Sequence, residues 1–367
     1  MIDPKELTKE RIPYSEEKNN KYFEKTKKLL EEMPEYCNDY YEHLMANDMG
    51  ASTIHAYIAD LNLFFKYLVR NSDAHVSEIT MEKLDDLTPS DIERYMAYLR
   101  YYNVDGISHQ NNPSGRKRKL ASLRRFFKFA REHQHWLEND PAAGAATPRV
   151  KTKDPTQIRV VEQRERERLF ERLERMYKDA ERDRAATNNP KYRVWIKPAF
   201  IKRDTAIIYL FLGTGIRVSE LVGLDVDNVD WEAGKAVIVR KGGDKDTIYM
   251  SDDVLGILKE YKNYWRNMLA PDTPALFVSK THTRLTVRAV EAMIKDLAEE
   301  LFGKGCNITP HKFRATFGSQ YYRMTLDLEA TRNAMHHKSV STTSQYYLKA
   351  NEKAKEDDMK RLNVFGD

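Results

Sequence analysis

The 367-residue sequence has few cysteines, no long apolar run and little excess of charge of either sign. Its two cysteines, Cys37 and Cys306, are too few for a disulfide scaffold or a zinc-finger framework, and they fit a reducing compartment. No apolar run approaches the ~20 residues of a membrane-spanning helix, and the charged N-terminus is unlike a signal peptide. We therefore expect a cytoplasmic protein with no membrane partner. Because the formal net charge is only +5, any basic surface must come from local clustering.

The composition favours about two folded domains, of which the first is helical. Apolar residues make up 41% of the chain and supply sizeable cores, at ~100–200 residues per domain. Apolar residues recur at helical spacing over residues 52–70, after a predicted cap at Ser52. Further helices are predicted from Thr88 and over residues 114–135, and residues 14–46 hold one or two more. The first half is therefore predicted to be an all-helical module.

A stretch rich in proline and small residues, DPAAGAATPRVKTKDP at residues 140–155, separates this module from the second half. We predict an interdomain linker there that neither packs nor continues a helix.

The second half mixes helices with one region of strands. A charged helix near residues 160–183 is followed by a polar segment to about residue 200 and an apolar helix over 204–212. The only clear β region is an antiparallel meander over residues 228–231, 235–240 and 246–250. Helices resume at residues 251 and 287 and after Pro310. The predicted fold class is mainly α with a small antiparallel β-sheet.

One face of the predicted helix over residues 114–135 is strongly basic. No acidic residue interrupts its tract of eight basic residues, which are Arg116, Lys117, Arg118, Lys119, Arg124, Arg125, Lys128 and Arg131. Such a helix can lay cations along phosphates while its apolar face holds a core. We favour contact with DNA or RNA over the alternative of a solvated face. The linker adds Arg149, Lys151 and Lys153.

Two motifs of the second half carry an arginine and a lysine in prominent positions. Arg217 and Glu220 lie in TGIRVSEL, where an apolar helix stops and a new one starts. Lys241 and Lys245 lie in the predicted hairpin VRKGGDKDTIYM, where the flanking glycines let a lysine project into a groove. Taken singly, Arg217 is more simply an ion-pair partner of Glu220, and Lys241 is more simply a loop lysine.

Two later motifs carry histidines, an arginine and tyrosines. They are PHKFRATFGS, whose histidine and arginine share one face of a starting helix, and MHHKSVSTTSQYY. The residues concerned are His311, Arg314, His336, His337, Tyr346 and Tyr347. Each signal is weak alone, because a His-x-x-Arg pair is usually surface decoration and the chain has 21 tyrosines.

Together, and in this order, the four motifs resemble those of the tyrosine recombinase (phage integrase) family, within it the Xer-like branch. TGIRVSEL resembles the first arginine box, VRKGGDKDTIYM the lysine hairpin, PHKFRATFGS the second box and MHHKSVSTTSQYY the histidine–tyrosine box. The helical first half resembles the core-binding domain, with residues 139–142 like its usual ending. The sequence departs from the minimal Xer pattern in an N-terminal extension, a longer polar segment before Arg217, and Met-His-His where Leu-Gly-His is commoner.

The resemblance implies DNA strand exchange through a 3′-phosphotyrosyl intermediate. Arg217 and Arg314 would grip the equatorial oxygens of the phosphate, since guanidinium groups bind such oxygens bidentately. Tyr346 would be the nucleophile, because it lies nine residues after His337 as the family pattern requires. Tyr347, the alternative, would point ~100° away around a helix.

The remaining roles also follow from the resemblance. A tyrosine hydroxyl, with an ordinary pKa near ~10, is a weak nucleophile, and His311 would accept or share its proton. Lys241 would protonate the leaving 5′-oxygen, with Lys245 as the fallback. His337, rather than His336, would bond a non-bridging oxygen, and Glu220 would orient the arginine or histidine groups. No cofactor, ATP or metal is implied, and the sequence shows no P-loop or carboxylate metal cluster.

The resemblance also implies a domain organisation, a C-clamp architecture of two domains around DNA, and partners. The expected segments are an N-terminal extension (1–30), a helical core-binding domain (31–140), a basic linker (141–158), a catalytic domain (159–349) and a C-terminal tail (350–367). The partner would be a double-stranded DNA recombination site, bound by a homo-tetramer on two sites that is a monomer or weak dimer without DNA. The tail would dock on a neighbouring protomer or on its own chain. Whether an accessory directionality factor is a further partner stays open. A nucleoid-associated location would follow.

Three functions remain in competition from the sequence. The first is a site-specific recombinase that exchanges strands through a Holliday junction, as a mobile-element integrase or an Xer-type resolvase. The second is a type IB topoisomerase-like or telomere-resolving enzyme with the same residues. The third is a catalytically inactive DNA-binding architectural protein, which is disfavoured because every catalytic residue type is present.

Overall fold

The computed structural model describes residues 13–104, 106–150, 160–186, 191–240, 243–269 and 272–335. The chain divides into two compact units, Met1–Thr152 and Lys153–Asp367. Each unit is mainly helical and has one small antiparallel sheet in its described part, so the predicted fold class is confirmed. No helix within these ranges is long and apolar enough to cross a membrane.

Helices make up most of the first unit. Over its described residues they are α1 (Tyr14–Leu30), α2 (Tyr36–Ala46), α3 (Ala51–Val69), α4 (Met81–Asp85), α5 (Pro89–Tyr98), α6 (Pro113–Glu132) and α7 (Pro141–Gly144). The predicted helices are confirmed, and Thr88 caps α5 as expected. The predicted cap at Ser52 is wrong, because α3 begins one residue earlier and Gly50 holds the extended cap position.

Aromatic side chains fill the core of this unit. The fully buried rings include those of Tyr40, Phe64 and Phe126, and Phe64 lies edge-on to Tyr95 at a centroid distance of 5.0 Å. Helix α6 buries an apolar face into this core, which leaves its basic residues on the other sides of the helix. Helix α1 packs against α3, and the Thr26 hydroxyl lies 3.1 Å from Nδ1 of His55. The described part of the N-terminal extension therefore belongs to the first unit.

A β-hairpin in the first unit contradicts the prediction of an all-helical module. Strands β1 (Tyr101–Val104) and β2 (Ile107–Gln110) pair in antiparallel fashion, with Gly106 at φ 79° in the turn. The strands have only four residues each, β2 is exposed throughout, and β1 half-buries only Tyr102 and Val104, so the apolar alternation is too short to reveal them. The Asp105-Gly106 pair was the available signal, because it is typical of tight hairpin turns.

The beginning of the proline-rich stretch packs, contrary to the prediction for it. Asp140 caps α7 by accepting hydrogen bonds from the N–H groups of Ala142 and Ala143 at 3.1 and 2.9 Å. Pro141 and Ala142 are buried. Arg124 of α6 donates to the carbonyl oxygens of Ala142 and Ala145 at 2.9 and 2.8 Å. The small side chains thus permit a close approach of helices, and the first third of this stretch packs against α6.

Helices also form the frame of the second unit. Over its described residues they are α8 (Gln163–Ala185), α9 (Tyr192–Thr214), α10 (Val218–Leu221), α11 (Asp252–Glu260), α12 (Asn267–Leu269), α13 (Val287–Phe302), α14 (Pro310–Thr325) and α15 (Leu328–Met335). A π-helical segment, Tyr261–Arg266, joins α11 to α12. The predicted starts at residues 251, 287 and 310 are confirmed.

Helix α9 is the central helix of the second unit and is longer than predicted. It packs against α8, α11 and α14 and buries Ala206, Ile207 and Phe211 completely. It starts at Tyr192 and continues through Pro198, so the segment taken as polar up to residue 200 is partly helical. The prediction failed because tertiary packing outweighs the local preference of proline.

The predicted meander is confirmed as a three-stranded sheet. Strands β3 (Val229–Asp230), β4 (Lys235–Val239) and β5 (Lys245–Tyr249) lie in the order β3-β4-β5. Ala236 and Ile238 alternate with exposed neighbours and face the core. Val239 pairs with Lys245, so the described residues Arg240, Gly243 and Asp244 lie in the connection between these two strands.

Candidate active site

The end of α9 fixes the position of Arg217. Gly215 ends the helix in the left-handed conformation, at φ 61°. A Cβ atom there would lie 2.4 Å from Cδ1 of Phe317, so only glycine fits between α9 and α14. The chain then turns sharply, and Arg217 becomes the N-terminal cap of α10. Its side chain is 33% exposed, so the guanidinium group lies at the surface of the unit.

Glu220 holds Arg217 through both its backbone and its side chain. The carboxylate of Glu220 accepts a hydrogen bond from the Arg217 N–H at 2.9 Å and from Nη1 of Arg217 at 2.8 Å. The Glu220 side chain is only 2% exposed. Burial alone would raise the pKa of this carboxyl group, but the hydrogen bonds from Arg217 and the charges of Arg240 and Arg217 outweigh burial and lower it. Glu220 therefore stays ionised at neutral pH and restrains Arg217.

Arg314 joins three of the sequence motifs. It lies in the first turns of α14, is buried, and donates hydrogen bonds to the carbonyl oxygens of Gly215 and Met335. Gly215 precedes Arg217 by two residues, and Met335 ends α15 directly before His336-His337. The Arg314 guanidinium group thus lies against the loop that carries Arg217 and against the chain that leads to His337.

The other predicted residues of these motifs are described only in part. His311 is exposed at the start of α14, three residues before Arg314 and on the same side of the helix. Lys241, His337 and Tyr346 lie outside the described residues, as do the alternatives His336 and Tyr347.

The turn between β4 and β5 begins at a residue that the sequence reasoning missed. Arg240 N–H donates to the Asp244 carbonyl at 2.8 Å, and Gly243 N–H donates to the Arg240 carbonyl at 3.0 Å. Lys245 is exposed at the start of β5. Nη1 of Arg240 donates to both carboxylate oxygens of Glu220, each at 2.9 Å.

The strand pattern could have revealed Arg240. Ala236 and Ile238 face the core, and at a period of two residues Arg240 is the next inward position of the same strand. An arginine at an inward-facing position requires a buried partner, and that partner is Glu220.

Several basic residues of α6 are bonded to other groups of the first unit. Asp60 of α3 is buried and accepts hydrogen bonds from Arg118 at 2.6 and 2.8 Å, from Lys119 at 2.8 Å and from Ser122 at 2.7 Å. Lys119 is consequently only 12% exposed. These contacts anchor α6 to α3, so part of the predicted DNA-binding tract also stabilises the unit.

The rest of the tract differs in exposure. Arg116 donates to the Met96 carbonyl at 3.3 Å, and the Arg125 guanidinium carbon lies 5.9 Å from the centroid of the Tyr57 ring. Lys117 and Lys128 are exposed, as is Arg149 beyond α7. Lys151 and Lys153 lie outside the described residues. No cluster of histidine, cysteine and carboxylate groups suited to a metal ion occurs in the described ranges.

Comparisons with known proteins agree with the motifs. The family model "Phage integrase family" matches residues 161–354, and the model "Phage integrase, N-terminal SAM-like domain" matches residues 37–134. The chain is 28% identical over 303 residues to the tyrosine recombinase XerC of Caldanaerobacter subterraneus subsp. tengcongensis, covering 80% of this chain and 77% of that protein. It is 24% identical over 354 residues to the tyrosine recombinase XerS of Streptococcus gordonii, covering 90% and 96%.

A solved structure shows the same fold. The Tn1549 transposon integrase in complex with circular intermediate DNA matches with a TM-score of 0.59 at 16% identity, over 88% of this chain and 99% of that one. The topoisomerase-like and architectural alternatives are not favoured by any of these relatives. Since the first family model spans more than half of the chain and contains the four motifs, the chain belongs to the phage integrase family and is an Xer-like site-specific tyrosine recombinase, an enzyme that cleaves and rejoins DNA.

Proposed function

We propose that this recombinase cleaves one DNA strand by attack of Tyr346 on a phosphate held between Arg217 and Arg314. The observation that carries the proposal is the pair of hydrogen bonds from the Arg314 guanidinium group, one to the Gly215 carbonyl and one to the Met335 carbonyl. Through them a single side chain lies against both the Arg217 loop and the chain end that leads to His337 and Tyr346.

The chemistry requires positive charge around the reacting phosphate. The Tyr346 oxygen forms a bond to phosphorus as the bond to the 5′-oxygen breaks, and charge builds on the non-bridging oxygens. Arg217 and Arg314 stabilise that charge, and preorganised donors of this kind typically contribute a factor of about 10²–10³ each. His337 supplies a further hydrogen bond to one of these oxygens.

Two proton transfers complete the step. His311 accepts or shares the proton of the tyrosine hydroxyl, while Lys241 gives a proton to the departing 5′-oxygen. The phosphotyrosyl bond conserves the energy of the phosphodiester, so a 5′-hydroxyl of another strand can attack it and release Tyr346. The cycle of cleavage and rejoining needs no other energy source.

The DNA partner is part of the proposal. The matched Tn1549 integrase was solved with circular intermediate DNA, and structures of XerH bound to its difH substrate are also similar to this chain. We assign a double-stranded recombination site to this chain as well, contacted by the exposed basic residues of α6 and by Arg149. A tetramer on two such sites, located at the nucleoid, would follow from this partner.

A DNA substrate nicked just downstream of the cleavage site tests this function. The short 5′-hydroxyl fragment diffuses away after cleavage, so wild-type protein should accumulate as a covalent adduct that survives denaturation. Tyr346→Phe should form no adduct. Tyr347→Phe is the matched control and should retain adduct formation, since it removes the neighbouring hydroxyl only. Adduct formation by Tyr346→Phe would contradict the proposal.

The salt dependence of DNA binding tests the role of α6. Lys117 and Lys128 are eleven residues apart, so they lie on nearly the same side of the helix, and both are exposed. If each contacts a phosphate, the double substitution to alanine should reduce the slope of log K against log salt by about 1.8, at ~0.9 per contact. Exposed Lys178 of α8 gives the control substitution. The slope is measured by fluorescence anisotropy. An unchanged slope would mean that this face of α6 does not contact the DNA.

A further inference from the structure

Arg240 links two carboxylates that come from different elements. Nη1 donates to both oxygens of Glu220 on α10, and Nε donates to Oδ2 of Asp246 on β5 at 3.1 Å. The Arg240 side chain is 11% exposed. Its backbone closes the turn after β4, so the residue is held at both ends.

The arrangement matters because Glu220 is shared. Its carboxylate accepts hydrogen bonds from both Arg240 and Arg217, and it is almost completely buried. A buried carboxylate with a single arginine would neutralise that arginine. Because Arg240 supplies the second positive charge, Glu220 can orient Arg217 without cancelling its charge. Asp246 neutralises less of the charge of Arg240, because the Asp246 side chain is 30% exposed and partly solvated.

One further atom of Arg240 indicates that its place is not explained by stability alone. Nη2 is buried and has no hydrogen-bond partner among the described residues. An unsatisfied buried donor is destabilising, so this atom of Arg240 does not add to the stability of the fold.

We propose that Arg240 is a positioning residue for DNA cleavage, which neutralises Glu220 so that the positive charge of Arg217 is available to the phosphate. The inference rests on the proposed function of Arg217. Arg240 itself does not contact the reacting atoms; it acts through Glu220 on the orientation and the effective charge of Arg217.

A double substitution separates this role from a merely structural one. Arg240→Gln should slow covalent adduct formation on the nicked DNA substrate by about 10–100-fold, the usual cost of losing a group that orients a functional residue. Adding Glu220→Gln should restore most of the lost rate, because the uncompensated negative charge is then removed as well. Arg240→Lys, which keeps the charge, should fall between wild type and Arg240→Gln.

The control is another buried arginine of the same unit. Arg203 is buried and paired with Asp204, at 2.8 and 2.6 Å. Arg203→Gln should lower the melting temperature and leave the adduct rate unchanged below it. If Arg240→Gln alone does not fold, the double variant Arg240→Gln, Glu220→Gln carries the test: it should form adduct at most of the wild-type rate, and a rate about 10-fold or more below wild type would overturn the inference.

Two results would overturn the inference. One is an Arg240→Gln variant that reacts at the wild-type rate. The other is a double variant that is as slow as Arg240→Gln alone, since that would mean a structural role. Neither result can be confused with failure of the proposed function, in which wild-type protein would form no adduct through Tyr346.

Discussion

Replacing Arg217 with alanine should lower the rate of covalent adduct formation by about 10²–10³-fold while the protein stays folded. The loss is expected because this guanidinium group is one of two that stabilise charge on the phosphate. Folding should be retained because Glu220, the partner of Arg217, keeps Arg240 as a counter-charge. Single-turnover cleavage of a nicked substrate at saturating protein gives the rate, and thermal unfolding gives the stability.

Arg217→Lys is the informative companion to the alanine variant. Lysine keeps the charge but lacks the planar guanidinium group, which can donate hydrogen bonds to a phosphate and to a carboxylate at the same time. Most of the loss in cleavage rate should therefore remain. A near-wild-type rate for Arg217→Ala, in protein that binds DNA normally, would remove Arg217 from the reaction.

The second large effect is on stability. Glu220→Ala should lower the free energy of unfolding by about 3–5 kcal/mol, because Arg240 is then left buried without its main counter-charge. Denaturant unfolding monitored by circular dichroism measures the change. Exposed Glu232 in the turn between β3 and β4 gives the control, and its alanine variant should change stability by no more than about 0.5 kcal/mol. Equal effects of the two substitutions would contradict the buried network.

The same network predicts a dependence of stability on pH. The folded protein holds the pKa of Glu220 below its ordinary value of 4.5. Above pH 4.5 this carboxyl group is ionised in both the folded and the unfolded protein, so the stabilisation is complete. As the pH falls below 4.5, the Glu220 carboxyl group becomes protonated first in the unfolded protein. The stabilisation is then lost progressively as the pH falls to and below the pKa of Glu220 in the folded protein. Wild type should therefore lose its stability advantage over Glu220→Gln in acid.

The elements that the sequence predicted correctly have strong local signals. The apolar period of α3, α5 and α6 and the turn residues of the β3–β5 meander are sufficient to identify them. Gly213-Thr-Gly215 also marks the end of α9, where the left-handed conformation requires glycine. Glu220 was expected to orient a catalytic group, and the structure places its carboxylate on Arg217.

The features that sequence reasoning missed depend on tertiary contacts. Helix α9 continues through Pro198 because its neighbours pack around it, and α7 is stabilised by Arg124 from a helix that precedes it by several residues. The bonding of Arg118 and Lys119 of α6 depends on Asp60, some 60 positions away in the chain, as no reading of the basic tract alone could show. The alternation of strand β4 predicts that Arg240 faces inward, but it does not identify Glu220 as the partner of Arg240.

A crystal structure of the covalent complex between this protein and its cleaved DNA would measure the central claim directly. In that complex the Arg217 and Arg314 guanidinium groups should both lie within about 2.7–3.1 Å of non-bridging oxygens of one phosphate that is bonded to Tyr346. Guanidinium groups that contact different phosphates, or a phosphate bonded to any other side chain, would contradict it.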